Sequence, residues 1–195
     1  MKLDFLFFFN SILLGIGLAM DAFSVSLANG LNEPQMSKKK MLSIAGAFGF
    51  FQALMPTVGW LCVHTVVEYF TAFEKCIPWI ALILLLYIGG KMLWEGIKGK
   101  GEDAVEASRL TPHALFIQGV ATSIDALSVG FTIAEYSFSV TALCALIIAS
   151  VTYVICVAGL NIGRKFGTKL AGKATIVGGI ILILIGIEIF LNGMF

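Results

Sequence analysis

The chain has 195 residues, of which 58% are hydrophobic and only 13% are charged, and its mean hydropathy is +0.95. Soluble domains usually carry about 25% charged residues, so the composition excludes an ordinary soluble domain. The net charge of +1 gives no basic surplus, and no nucleic-acid partner is expected. The composition predicts an all-α integral membrane protein that has the lipid bilayer as its surroundings.

Six apolar blocks follow one another along the chain, each near the roughly 20 residues that a helix needs to cross the hydrocarbon core. They span residues 5–30, 41–64, 77–97, 113–134, 139–162 and 174–194. The break "EYSF" is short and predicts a tight hairpin between the fourth and fifth spans. The first block is not interpreted as a signal peptide, because its apolar run is long and no A-x-A site follows. We therefore predict six transmembrane helices in a single membrane domain, residues 1–195.

Basic residues lie almost entirely on one side of the predicted bundle. Eleven of the 13 Lys and Arg residues fall at or after the ends of the first, third and fifth spans, and the other side has only Lys2 and Lys75. Cytoplasmic loops of membrane proteins carry the excess of Lys and Arg. Both termini are therefore predicted to lie outside.

The two halves of the sequence repeat. A shift of 104 residues aligns "MDAFSV" at residues 20–25 with "IDALSV" at 124–129, and shifts of 100 and 97 align glycines of the later spans. Each half holds three spans, an odd number, so the halves must cross the membrane in opposite orientations. We predict two inverted repeats, residues 1–100 and 110–195, with a substrate site between them near the midplane, as in many secondary transporters.

Each repeat places one aspartate inside its first span, Asp21 in one half and Asp125 in the other. A charged side chain at the bilayer centre costs about 2.5–3.5 kcal/mol on insertion scales, so the pair needs compensation. A divalent cation held between the two carboxylates would supply it, and protonation would do the same. Alternation between these two states is the chemistry of a cation–proton exchanger.

Other oxygen-bearing side chains accompany the aspartates. Ser24 and Ser128 follow them by three residues, and Thr122 precedes the second aspartate by three, on the same helix face. Gln52 lies four residues before Pro56, which should loosen the second helix and free a carbonyl. Such oxygens suit Mg, Ca or Mn rather than copper or zinc. The predicted metal ligands are Asp21, Asp125, Gln52, Ser24, Thr122 and Ser128.

The motifs "MDAFSVS" in the first span and "TSIDALSVG" in the fourth, with six spans in about 190 residues, resemble the MntP-type manganese efflux pumps. These are bacterial inner-membrane proteins related to the lysine-exporter superfamily, and the resemblance covers the whole chain. It implies a transporter without a cofactor that exports Mn²⁺ across the cytoplasmic membrane, with Asp21 and Asp125 as the essential acidic pair. The chain departs from the family at Gln52, where Glu or His often stands and where glutamine can ligate but not titrate.

Alternatives remain open from the sequence. The cargo could be another divalent cation or a cationic small molecule, and the chain could be a passive channel. Two intramembrane aspartates could form a protease dyad, but the GxGD motif of those proteases is missing. The hydroxyls could bond only their own backbone, and Gln52 could simply join helices. Glu188 is a weaker functional candidate. No P-loop is present, so we expect proton exchange rather than ATP to drive export.

Overall fold

The computed structural model describes residues 5–65, 77–97, 110–170 and 174–194, and within these ranges it contains helices and no strand. The helices are α1 (Phe5–Asn32), α2 (Lys38–Thr65), α3 (Ile77–Ile97), α4 (Pro112–Thr122), α5 (Ile124–Thr132), α6 (Phe138–Leu170) and α7 (Ala174–Met194). By length and composition, three stretches in the described part could cross a membrane: Phe5–Asn32, Lys38–Cys62 and Phe138–Gly167. The predicted all-helical class is confirmed.

Large apolar side chains cover the outside of the bundle. Phe5, Tyr87, Ile97 and Val154 each leave 65% or more of their surface exposed. The interior, in contrast, holds polar side chains such as Gln52, which is 1% exposed. A soluble protein rarely shows so much contiguous apolar surface, whereas in a bilayer the lipid tails cover it. The arrangement is that of a membrane protein.

The fourth predicted span is not one helix. The apolar block 113–134 is divided at Ser123, where the backbone leaves helical geometry with φ −112° and ψ 8°. The Ser123 N–H donates to Val120 O at 3.2 Å and its hydroxyl donates to Gly119 O at 2.7 Å, which tightens the end of α4. Such bonds from a hydroxyl to earlier carbonyls compete with the helical pattern. The other predicted spans in the described part correspond to helices, and the chain turns tightly at 133–137 as expected.

Glycines bring the helix backbones into close contact. A Cβ atom on Gly30 of α1 would lie 2.5 Å from Leu160 O of α6, and one on Gly163 of α6 would approach Leu27 O of α1. Neither position therefore admits a side chain without movement of a backbone. Small residues at such crossings are the usual means by which transmembrane helices pack closely. The α1–α6 pair is the most extensive helix contact in the described residues.

The pair α3 and α7 crosses in a way that follows the internal repeat. Gly89 of α3 lies against Gly179 O of α7, and Gly186 of α7 lies against Leu82 of α3. The shift of 97 that aligns Gly89 with Gly186 also aligns Leu82 with Gly179. The shift therefore relates the contact of Gly89 with Gly179 to the contact of Gly186 with Leu82. Gly89 and Gly186 thus both lie in the contact between α3 and α7, at positions that the shift of 97 relates.

Candidate metal site

Asp21 lies in the second half of the continuous helix α1. Its side chain is half-buried, and the neighbouring Ala19 and Ala22 are completely buried. Alanine at these positions lets adjacent helices approach closely. The carboxylate therefore stays within a closely packed part of the bundle but keeps some accessible surface.

Asp125 lies in the first turn of α5, immediately after the break at Ser123. Its carboxylate Oδ1 accepts a hydrogen bond from the Ala126 N–H at 2.8 Å. The first amides of a helix have no partner within that helix, and a carboxylate there satisfies one of them and complements the helix dipole. The break thus gives the second aspartate a polar setting, and its side chain remains exposed.

Asp21 of α1 and Asp125 of α5 lie within electrostatic range of each other. Their carboxylates are close enough to interact electrostatically, although they are 104 residues apart in sequence. Two like charges in this position repel each other, and a cation between them would relieve the repulsion. That Asp21 and Asp125 share one metal site stays a prediction.

A third acid belongs to the same electrostatic environment. Glu188 of α7 interacts with the carboxylate of Asp21, and α1 and α7 are in contact. From the sequence alone Glu188 is a weaker candidate, because its one signal is an acidic side chain within the last apolar block. Among the residues described, no three His, Cys, Asp or Glu side chains converge closely enough to hold a metal ion together. A cation at the two aspartates would therefore need further oxygen ligands from neutral groups or water.

Gln52 links α2 to α1 at the level of the site. Its side chain is buried, and its Nε2 donates to the carbonyl of Leu18 at 2.6 Å, one turn before Asp21. The helix continues through Pro56, and Thr57 Oγ1 donates to Ala53 O at 2.8 Å. Because proline has no N–H, the Gln52 carbonyl four residues earlier loses its helical donor. The expected loosening of α2 is therefore limited to the Gln52 carbonyl, which has no N–H donor within the helix.

The hydroxyl candidates differ in their surroundings. Thr122 is buried at the end of α4, and its Oγ1 donates to Gln118 O at 2.8 Å. Ser128 is exposed on α5, one turn from Asp125, and Ser24 is half-buried one turn from Asp21. The Thr122 proton is thus used by its own helix, although the oxygen keeps acceptor capacity. The two serines lie beside the aspartates.

An open groove runs along α1 to within one turn of Asp21. Its volume is about 580 Å³, and it is lined by α1 from Asn10 to Leu18 and by Thr132, Ile133 and Tyr136. Gly17 forms part of this wall, and a Cβ atom there would meet no other atom within 4 Å. We call this feature the outer groove.

On the opposite side of the aspartates, α1 and α4 are joined by two amides. Asn29 Nδ2 donates to Gln118 Oε1 at 2.8 Å, and Gln118 Nε2 donates to Asn29 Oδ1 at 3.3 Å. The two side chains are 3% and 0% exposed. We call this feature the inner amide pair. Along α1, the pair and the outer groove lie on opposite sides of Asp21.

Comparison with known sequences identifies the family. Residues 35–190 match the family described as putative manganese efflux pumps. The chain belongs to this family. The match includes Asp125, Gln52 and Glu188, whereas Asp21 precedes it. The family is one of transporters rather than enzymes, so the protease alternative is not retained.

Individual relatives cover nearly the whole chain. A putative manganese efflux pump MntP from Clostridium botulinum (strain Loch Maree / Type A3) is 43% identical over 190 residues, with 93% of this chain and 92% of that protein covered. Proteins of the same name from Sorangium cellulosum (strain So ce56) and Clostridium perfringens (strain 13 / Type A) are 41% and 40% identical, with 93% of this chain covered in each case. The matched region spans 94% of the Sorangium cellulosum protein and 92% of the Clostridium perfringens protein. No solved structure matches the chain.

Proposed function

We propose that this protein exports Mn²⁺ from the cytoplasm by exchange for protons, with Asp21 and Asp125 as the groups that carry both ions. The observation that carries this proposal is the repeat of one aspartate motif in the two halves, with the two aspartates within electrostatic range of each other. Membership of the chain in the manganese efflux pump family also supports the proposal.

The ligand chemistry suits this cargo. Carboxylate, amide and hydroxyl oxygens are preferred by Mn²⁺, Mg²⁺ and Ca²⁺ over copper and zinc. The two aspartates supply the charge, and Ser24, Ser128 and the amide oxygen of Gln52 are neutral oxygens on adjacent turns or helices. Thr122 contributes an acceptor oxygen at the break between α4 and α5. Water would complete the coordination shell.

Energetics favour proton exchange. Moving a free dication outward against an inside-negative potential costs about 4.6 kcal/mol per 100 mV, twice the cost for a single charge. A passive channel would therefore fill the cell with the metal rather than empty it. Two aspartates can hold either one Mn²⁺ or two protons, and exchange of these loads moves no net charge. We therefore propose electroneutral exchange of one Mn²⁺ for two H⁺.

We further propose six spans arranged as two inverted repeats in the bacterial cytoplasmic membrane, with both termini outside. The contacts of Gly89 and Gly186, at positions that the shift of 97 relates, support the repeat. The concentration of Lys and Arg on one side supports the orientation. In this arrangement the outer groove opens to the exterior, and the inner amide pair lies on the cytoplasmic side of the aspartates.

The decisive experiment uses purified protein in sealed proteoliposomes. A pH gradient should drive Mn²⁺ in the direction opposite to proton flow, and an imposed membrane potential should change the rate little. The control is Asp21→Asn/Asp125→Asn in the same vesicles, which should give only the background leak. If Mn²⁺ follows the imposed potential and ignores the pH gradient, the protein is a channel or uniporter and the exchange proposal is wrong.

A further inference from the structure

We propose that Asn29 and Gln118 form the cytoplasmic gate of the transport path. This gate is closed in this structure and opens to admit the metal from the cytoplasm. This inference rests on the proposed function for its direction, because the cytoplasmic side is defined by the proposed orientation. Neither residue belongs to the candidate metal ligands. Their role would be to open and close the route to the aspartates.

The position of the pair is the first argument. Asn29 follows Asp21 by eight residues on α1, and Gln118 precedes Asp125 by seven. Each amide is therefore about two helical turns from the aspartate of its own segment. The pair joins the two aspartate-bearing segments to each other at one level on the cytoplasmic side. A cation moving between these segments toward the aspartates would have to pass it.

The second argument is the asymmetry between the two ends. On the outer side, α1 and the end of α5 are separated by the outer groove, which reaches Gly17 one turn from Asp21. On the inner side, the corresponding space is occupied by two buried amides that donate to each other. A path open at one end and closed at the other is what alternating access requires of each conformation.

The third argument is the chemistry of the two side chains. An amide pair is neutral, so when it opens it neither repels a dication, as Lys would, nor holds it tightly, as a carboxylate would. Both amides keep a carbonyl oxygen that can exchange its hydrogen bond for water or for the passing ion. Few other contacts join α1 to α4, whereas α1 packs extensively against α6. These two hydrogen bonds are therefore a substantial part of what holds the inner end closed.

The test starts from a variant in which the native Cys62, Cys76, Cys144 and Cys156 are replaced by alanine. Gly17→Cys is added as a reporter of the outer groove, because a side chain there meets open space. Its reaction with a membrane-impermeant thiol reagent applied from outside measures the outward-open population. This readout needs no metal, so it remains informative even if Mn²⁺ proves not to be the cargo.

Two changes then move the gate in opposite directions. In the cysteine-free protein without the reporter, Asn29→Cys/Gln118→Cys is oxidised to a disulfide, and we expect Mn²⁺ export to fall at least tenfold and to return with a reductant. In the reporter protein, Asn29→Ala/Gln118→Ala opens the gate, and we expect outside labelling of Gly17→Cys to slow at least threefold. The controls are each single cysteine variant with the same oxidant, and Asn29→Gln/Gln118→Asn, which keeps two amides and should retain most of the labelling.

The results separate the gate from a fixed connection. Export by the oxidised double-cysteine protein at the rate of the reduced protein would overturn the proposal, because the pair would then stay together through the cycle. If no disulfide forms, the alanine pair decides: unchanged labelling of Gly17→Cys would overturn the gate, and slowed labelling restored by the amide swap would support it. Slowed labelling with no Mn²⁺ export in any variant would support the gate while the proposed cargo fails.

Discussion

Gly59 and Gly159 hold equivalent positions in α2 and α6, and each lies against the carbonyl two residues after an aspartate of the other half. A Cβ atom on Gly59 would clash with Leu127 O, and one on Gly159 would be 2.9 Å from Phe23 O. Leu127 follows Asp125 by two residues, and Phe23 follows Asp21 by two. Each aspartate-bearing helix is thus held at the same point by a glycine of the opposite half. Both contacts thus lie two residues from an aspartate.

The first prediction concerns that contact. Gly59→Ala should lower the free energy of unfolding by about 1–3 kcal/mol, because overfilling a close contact forces the backbones apart, and it should also slow export. Gly46→Ala in the same helix is the matched control, since a Cβ atom there meets nothing within 4 Å and alanine favours the helix by up to about 1 kcal/mol. Thermal unfolding in detergent compares the two. Equal stability of both variants would contradict the role of Gly59.

The second prediction separates binding from folding at the aspartates. Asp21→Asn and Asp125→Asn should each abolish export while the protein remains inserted and folded. At position 125 the asparagine oxygen can still accept the Ala126 N–H that Asp125 now accepts at 2.8 Å, so the start of α5 keeps its partner. The double variant should be no worse than either single one, because both residues serve one site. Near-normal export by either single variant would contradict a shared site.

Much of the helical layout follows from the sequence, because a helix that crosses lipid needs a long apolar block and charged residues collect at its ends. The break at Ser123 was not predicted, although the two halves differ in sequence at this position. Thr122 and Ser123 stand where the first half has Leu18 and Ala19. The two hydroxyls bond back to the carbonyls of α4, which the apolar pair cannot do, but Thr57 makes the same kind of bond inside the continuous helix α2. The sequence difference therefore accompanies the break without predicting it.

The candidate site was predictable only where the repeat marked it. Asp21 and Asp125 were found because the same motif surrounds both. No repeated motif surrounds Asn29 and Gln118. Their pairing depends on how α1 and α4 pack together, although the two residues are 89 positions apart in sequence. Glu188 approaches Asp21 only through the contact of α7 with α1. Both contacts result from packing between segments that are distant in sequence, and no local sequence pattern predicts such packing.

The third prediction concerns Gln52. Gln52→Leu removes both the hydrogen bond to Leu18 O and the amide oxygen, so it should weaken the apparent affinity for Mn²⁺ as well as the stability. The loss of one buried hydrogen bond should cost about 0.5–1.5 kcal/mol. Gln52→Glu keeps an oxygen and adds a negative charge, so it should retain or tighten Mn²⁺ binding. Titration of Mn²⁺-dependent thermal stabilisation measures both effects. If Gln52→Leu loses stability but binds Mn²⁺ normally, Gln52 only joins the helices.

The fourth prediction concerns orientation. In a cysteine-free protein, Ser137→Cys on the exposed turn after α5 should react with an impermeant thiol reagent applied to intact cells. Lys39→Cys and His113→Cys, both exposed at the other end of the bundle, should react only after the membrane is made permeable. The prediction follows from the excess of Lys and Arg on that side. Reaction of Lys39→Cys in intact cells would reverse the topology and with it the direction assigned to the gate.

The last prediction concerns Glu188. It acts on Asp21 through its charge but belongs to no three-residue metal cluster in the part of the chain that is described. Glu188→Gln should therefore raise the half-saturating Mn²⁺ concentration by roughly two- to tenfold, equal to about 0.4–1.4 kcal/mol, without abolishing export. The matched control is Glu135→Gln on the exposed turn, which should leave the affinity unchanged. Complete loss of export with Glu188→Gln would instead make Glu188 a direct ligand, and an unchanged affinity would remove it from the site.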